Sequence, residues 1–191
     1  MESKNNTYIL AKFDVSGIQQ YIFATNRLKE NIGASYQVTK ILEEYLPESI
    51  KNATTSQKSM ILEWEKEAGL RISEDEQIEV EIVYIGGGNA IVIFQNIEVF
   101  QNVCRDMGRK VAQNCQGLYL AVAYVDAHFQ NFRSDKEQLD KKMAEIKADM
   151  IRQPIYSPFP VVEQDNSNHQ PITRCYFYKK NGEKIDRKSV V

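Results

Sequence analysis

The chain has 191 residues, 42% hydrophobic and 26% charged, enough to bury one good core with a small appendage. A formal net charge of -2 argues against a basic nucleic-acid-binding module, so any polyanion must be met by a local patch. No apolar run approaches the roughly 20 residues that span a bilayer, the polar start MESKNNTY has no signal-peptide h-region, and three cysteines without C-x-x-C argue against a disulfide framework or a complete zinc site; a cytoplasmic protein with no membrane partner is expected.

Tyr8 to Phe13 alternates as a strand and ends at Asp14 in a polar turn. Ser16 with Gln19 forms a capping box, opening a helix whose apolar face is Ile18, Tyr21 and Ile22. After a break at Asn26 to Asn31, Val38, Ile41, Leu42 and Tyr45 follow helical spacing until Pro47, which is expected to end the helix. Residues 52–77 read as a polar insertion in which Met60, Ile61, Trp64 and Ala68 line one face of a short helix. Trp64 is expected to cover an edge of the core, with partner binding the alternative.

Glu79 to Ile85 and Ala90 to Phe94 read as strands joined by Gly86-Gly87-Gly88-Asn89. Asn96 caps a helix carrying Phe100, Val103, Met107 and Val111, in which Cys104 packs; Cys115, read on the same helix, has the same role. Leu118 to Val125 is a strand almost free of polar residues, expected to be central or well covered. Ser134 with Glu137 makes a second capping box, ahead of Leu139, Met143, Ile146 and Met150 at heptad-like spacing. Beyond residue 152, Ile172 to Lys179, Asn181-Gly182 and Lys184 to Asp186 read as a β-hairpin.

The order β-α-α-β-β-α-β-α implies an α+β, ferredoxin-like (split βαβ) architecture, an antiparallel sheet with helices on one face, plus a C-terminal hairpin tail. The domain boundaries follow as 1–152, with 52–77 a variable insertion, and 153–191 for linker and hairpin. In this topology the first and third strands are antiparallel neighbours, so Asp14 converges with Gly86 to Asn89. A helix N-terminus directly after a strand offers N–H groups, and Val15 to Gln19 suits a phosphate chain. The glycines let a base, ribose or phosphate approach the backbone, although a tight turn alone also accounts for them.

Together the segments FDVSGIQQYIF, NIGASYQVTKILEEYL and VYIGGGNAIVIF resemble the first palm domain of the large subunit of type III CRISPR effector complexes, a family related to GGDEF nucleotide cyclases. The resemblance covers most of residues 8 to 126. It rests on the D-x-S-G-I-Q turn, on Ala34 and Ser35 opening the next helix, and on the triple-glycine hairpin. In that family two palms face each other, and ATP bound between them is joined into cyclic oligoadenylates; metal chemistry belongs to the second palm and its G-G-D-D hairpin. The resemblance implies an ATP-binding first palm in which Asp14, Val15, Ser16, Gly17, Ile18 and Gln19 approach the triphosphate. It places Ser35 near the nucleotide and makes Gly86, Gly87, Gly88 and Asn89 the pocket floor. The partners it implies are a second palm with GGDD and other CRISPR effector subunits, with guide RNA contacted indirectly.

In-line nucleotidyl transfer needs two cations about 3.5 to 4 Å apart, held by clustered carboxylates. Asp14 is one carboxylate, the hairpin adds none, and Asp126 is expected to end the fourth strand at the opposite edge of the sheet, so no catalytic residue is assigned and the chain alone should be a poor cyclase. Asp14 either assists a Mg²⁺ carried in by the phosphates or caps its own turn. His128 and His169 have no ligand partners by spacing. The family's His-Asp nuclease pair, its cysteine-rich zinc element and its second palm are missing from the sequence, and the tail resembles the segment leading onward from a first palm, as in a piece of a longer protein or a truncated gene product. A nucleotide-binding, catalytically incomplete palm is the first expectation. A non-enzymatic interaction scaffold in a CRISPR-type assembly is the second.

Overall fold

A strand whose odd and even residues are both apolar must be covered on both faces. That strand is β1, Tyr8–Ser16. The computed structural model describes residues 8–54, 58–65, 70–127, 129 and 131–150, and the backbone of 174–180 and 183–190. In it β1 pairs antiparallel on one side with β4 (Asn89–Phe94) and on the other with β5 (Tyr119–Ala127). β3 (Ile78–Gly86) pairs antiparallel with β4, and the short β2 (Ser59–Ile61) adds a parallel edge strand to β3. The order β2-β3-β4-β1-β5 is the ferredoxin-like sheet with one extra edge strand.

Ile9, Ala11, Phe13 and Val15 face a layer made of α1 (Ile18–Ile22), α2 (Leu28–Lys40), α3 (Leu46–Ala53) and α4 (Ile97–Asn114). Tyr8 and Leu10 face the other way, with Ala121, Ala123 and Ile93, onto α5 (Phe132–Asp149) through Leu139 and Met143. Helices therefore lie on both faces rather than one. β5 is an edge strand, not a central one. Its apolar composition is accounted for by α5 on one face and by Tyr124 against Phe100 of α4 on the other.

Several elements differ locally from the sequence expectations. β1 continues past Asp14 to Ser16 because Val15 and Ser16 are held by β5, opposite Leu120 and Tyr119. Pro47 does not end a helix. A π-helical turn, Ile41–Tyr45, precedes it, with the Leu46 N–H on the Ile41 carbonyl, and Pro47 then sits in the first turn of α3 where its missing N–H is tolerated. Ala34 and Ser35 lie inside α2, not at its start. Met60 and Ile61 are in β2 rather than a helix; Trp64 packs against the core of the α2–α4 layer, and Ala68 lies outside the described residues. Asn96 caps α4 by accepting the Glu98 N–H at 2.8 Å. At α5 the cap is Asn131, which accepts the Ser134 N–H at 3.3 Å, so the helix begins before Ser134.

Cys104 packs beside the core and Cys115 is buried in it, at the C-cap of α4 just past the last helical residue. Burial pushes the Cys104 thiol up to about 12, as expected of a packing residue. β6 (Arg174–Lys180) and β7 (Glu183–Val190) pair antiparallel as a separate hairpin; Asn181, Gly182, His128 and His169 lie outside the described residues. Among the described residues no helix is long and apolar enough to cross a membrane.

α3 is fastened to α4 by a polar cluster. Ser49 donates to Asp106 at 2.8 Å, and Lys110 lies 3.0 Å from Asp106 and 3.1 Å from Glu48. The Ser49 hydroxyl first, and then Lys110, hold the Asp106 carboxyl below the ordinary range. Because its folded value is depressed, its contribution to stability is present above about pH 4 and is lost as pH falls through the folded value. Asp106→Asn should therefore flatten the acid limb of a denaturation midpoint plotted against pH. Phe13, with no exposed surface in the middle of β1, sets the scale for the core: Phe13→Ala should cost about 3–5 kcal/mol by urea titration.

Candidate functional site

β1 delivers Asp14, Val15 and Ser16 to the end of the sheet where β3 turns into β4. Asp14 is in register with Asn89 on one side and Ala121 on the other, and the Val15 N–H donates to the Gly88 carbonyl at 2.9 Å. The strand end and the hairpin thus meet. Gly17 follows with φ +87°, a left-handed turn that starts α1 without a side-chain cap. Ser16 is not a capping residue; it is buried, and its hydroxyl donates to Asp14 Oδ1 at 3.3 Å. Ile18 and Gln19 are in α1, a helix of only five residues, which carries little of a full macrodipole.

The hairpin glycines serve different ends. Gly88 has φ +80°, and a Cβ there would stand 2.7 Å from Ile18 Cδ1, so α1 packs directly on it. The phenol of Tyr84 lies where a Cβ on Gly86 would be. Gly87 alone of the three has nothing within 4 Å of such a Cβ, and its carbonyl accepts Asn89 Nδ2 at 3.2 Å. Ser35 is exposed on α2, its carbonyl accepting the Thr39 hydroxyl. Beyond Ser35, α2 presents Leu28, Ile32 and Tyr36 to solvent at i, i+4 and i+8, with Phe23 nearby in sequence also exposed.

Asp14 is 6% exposed, and its charge is matched by a residue the sequence reading did not select. Lys147, in the last turn of α5, places Nζ 2.7 Å from Asp14 Oδ1. Two turns earlier Asp140 pairs with Lys12 at 2.6 Å. The available signal was a pair of complementary spacings, Lys12 and Asp14 two apart on a strand, Asp140 and Lys147 seven apart on a helix. Nothing in the sequence said which strand that helix would cover. Asp14 is by itself a poor Mg²⁺ site: Oδ1 already receives an ammonium and a hydroxyl, and Mg²⁺ requires near-octahedral oxygen ligands that a single carboxylate does not supply. Among the described residues no three His, Cys, Asp or Glu side chains are grouped to hold a metal. Asp126 is in register with Ile9, about 17 Å along the strand from the level of Asp14.

A groove of about 290 Å³ between α3 and α4 is lined by Ser49, Asn52, Asn102, Arg105, Asp106 and Arg109 among others and by none of the hairpin residues.

No protein-family model matches the sequence, and no curated protein matches it. Solved structures do. The chain is similar to one in the crystal structure of a Csm1-Csm4 cassette in complex with one ATP, at 17% identity and a TM-score of 0.53. It is similar at 18% identity and a TM-score of 0.52 to one in the cassette with cA3, and at 16% and 0.51 to one in the Csm1-Csm4 subcomplex of the type III-A CRISPR-Csm interference complex. The match covers 76% of this chain and 19% of the cassette chain, or 75% and 19% for the subcomplex. At such identities the likeness is one of fold: an α+β, ferredoxin-like palm spanning about a fifth of those chains.

Gly88→Ala should destabilise the protein by about 1–2 kcal/mol, the cost of a left-handed L-residue. Adding Ile18→Ala should remove the steric conflict without restoring wild-type stability. Denaturation midpoints of the single and double variants check both statements.

Proposed function

We propose that this chain is a nucleotide-holding palm, catalytically incomplete by itself, that works with an active palm carrying G-G-D-D in the synthesis of cyclic oligoadenylates for antiviral defence. The observation that carries the proposal is the meeting of the Asp14–Gln19 strand end with a glycine hairpin that has no acid pair. Support for ATP as the ligand comes from the fold neighbours, cassettes crystallised with one ATP, with AMPPNP and with cA3. Their assembly in a type III-A CRISPR-Csm complex supports other effector subunits as partners and a cytoplasmic setting. In this reading Val15 to Gln19 approach the phosphates, Gly86 to Asn89 form the floor, and Ser35 flanks the nucleotide. Residues 1–152 form the palm and 153–191 lead away from it.

Transfer of a nucleotidyl group requires paired cations that one buried, lysine-bound carboxylate does not supply. The chemistry therefore falls to the partner palm. A second reading, a palm that only docks into a ribonucleoprotein assembly, is favoured by the exposed Leu28, Ile32 and Tyr36 stripe on α2.

Calorimetry with ATP separates the two. ATP binding is expected; Gly87 has φ +58°, so any side chain there strains the turn, and Gly87→Phe, which also fills the open space, should weaken binding by at least about tenfold relative to Gly87→Ala, which carries the strain alone. No binding by the wild type leaves the docking reading standing. Incubation of the chain alone with ATP and Mn²⁺ should yield no oligoadenylate.

A further inference from the structure

The cation held by Asp14 belongs to the protein. Lys147 Nζ lies 2.7 Å from Asp14 Oδ1, and the lysine side chain is 34% exposed where the carboxylate side chain is 8% exposed. An ammonium has three N–H donors, and Asp14 occupies one of them. Asp14 is in register with Asn89, the residue after Gly88, so this charge stands beside the glycine hairpin. Farther along the same helix Lys12 and Asp140 neutralise each other at 2.6 Å.

We propose that the Lys147 ammonium takes the position a divalent cation would hold on Asp14 and is the fixed positive charge that receives a nucleotide's phosphate chain, so that this site takes the chain without a metal ion of its own. A Mg²⁺ on Asp14 Oδ1 would have to displace the ammonium or share the carboxylate with it. Two cations a few ångströms apart in a partly buried place repel strongly. The pinned ammonium avoids that cost: Asp14 fixes its position, and its remaining donors match phosphate oxygens. Asp14 is then a positioning residue that acts through Lys147. The nucleotide as ligand rests on the function proposed above; the replacement of a metal by Lys147 does not.

The test uses the full chain and three probes. Mn²⁺ is titrated without nucleotide while amide resonances around Asp14 are followed by NMR. ATP and inorganic tripolyphosphate are titrated by calorimetry, each with excess Mg²⁺ and with EDTA. The proteins are wild type, Lys147→Arg, Lys147→Gln and the double variant Asp14→Asn/Lys147→Gln, which replaces the ion pair by neutral amides and keeps an unpaired carboxylate out of the core. No Mn²⁺ broadening at Asp14 is expected in the wild type, with equal ligand affinity in Mg²⁺ and EDTA. Binding should be about tenfold weaker in Lys147→Gln and in the double variant, and near wild type in Lys147→Arg. Mn²⁺ binding at Asp14, affinity that requires Mg²⁺, or tripolyphosphate affinity unchanged in the double variant would overturn the inference. Tripolyphosphate binding that depends on Lys147, in a protein that does not bind ATP, would sustain it while removing the nucleotide; binding of neither probe would remove both.

Discussion

A carboxylate buried at the end of a central strand has to be matched by a positive charge, and the arrangement of this protein turns on how Asp14 is matched. Lys147 reaches it from α5, on the face of the sheet away from the other helices. Two residues earlier on β1, Lys12 is matched by Asp140 of the same helix. The two pairs have opposite polarity. The four residues between the end of β5 at Ala127 and the start of α5 at Phe132 fix the direction in which α5 runs back over the sheet, and in that direction both pairs have complementary signs. Breaking such a pair by removing one partner typically costs up to about 3–5 kcal/mol, less where, as with Lys147, one partner keeps some solvent.

The same pair shapes what the hairpin end can do. A carboxylate already bound to an ammonium is a poor place for Mg²⁺, and the hairpin offers no second acid. What remains at this end is a fixed positive charge, one glycine open to solvent, and a short turn into α1. In the function proposed above, these receive the phosphate chain and the partner palm does the chemistry. The glycines are not all reserved for a ligand. Gly88 is covered by Ile18 and Gly86 by Tyr84, so two of the three serve the packing of the protein against itself.

Sheet and helices divide labour in a way that leaves one surface unfinished. α3 and α4 are joined by the Ser49–Asp106–Lys110 cluster and bury Ile50, Val103 and Met107 between them and the sheet. α2, ahead of the π-helical turn, buries only Val38 within its own span and turns Leu28, Ile32 and Tyr36 outward. Ile41 and Leu42 follow the buried Val38 at helical spacing, and the extra residue of the π-helical turn brings Leu46, five residues after Ile41, onto the same buried face, while Leu28, Ile32 and Tyr36 lie on another face of α2.

From the sequence by itself came the strands β1, β3, β4 and β5, the cap at Asn96, the heptad face of α5, the split βαβ order and hence the meeting of Asp14 with the glycine hairpin. These are local periodicities plus one topological rule, and they carry through because each depends on residues close in the chain. Tertiary structure alone decided the rest: the second helical face, the extension of β1 to Ser16, the passage through Pro47, and the parallel edge strand at Ser59–Ile61. It also decided the partner of Asp14, more than a hundred residues away. A sequence states that Lys147 carries a charge; which carboxylate that charge meets follows from which face of which strand the helix covers, and that is settled by packing the whole core at once.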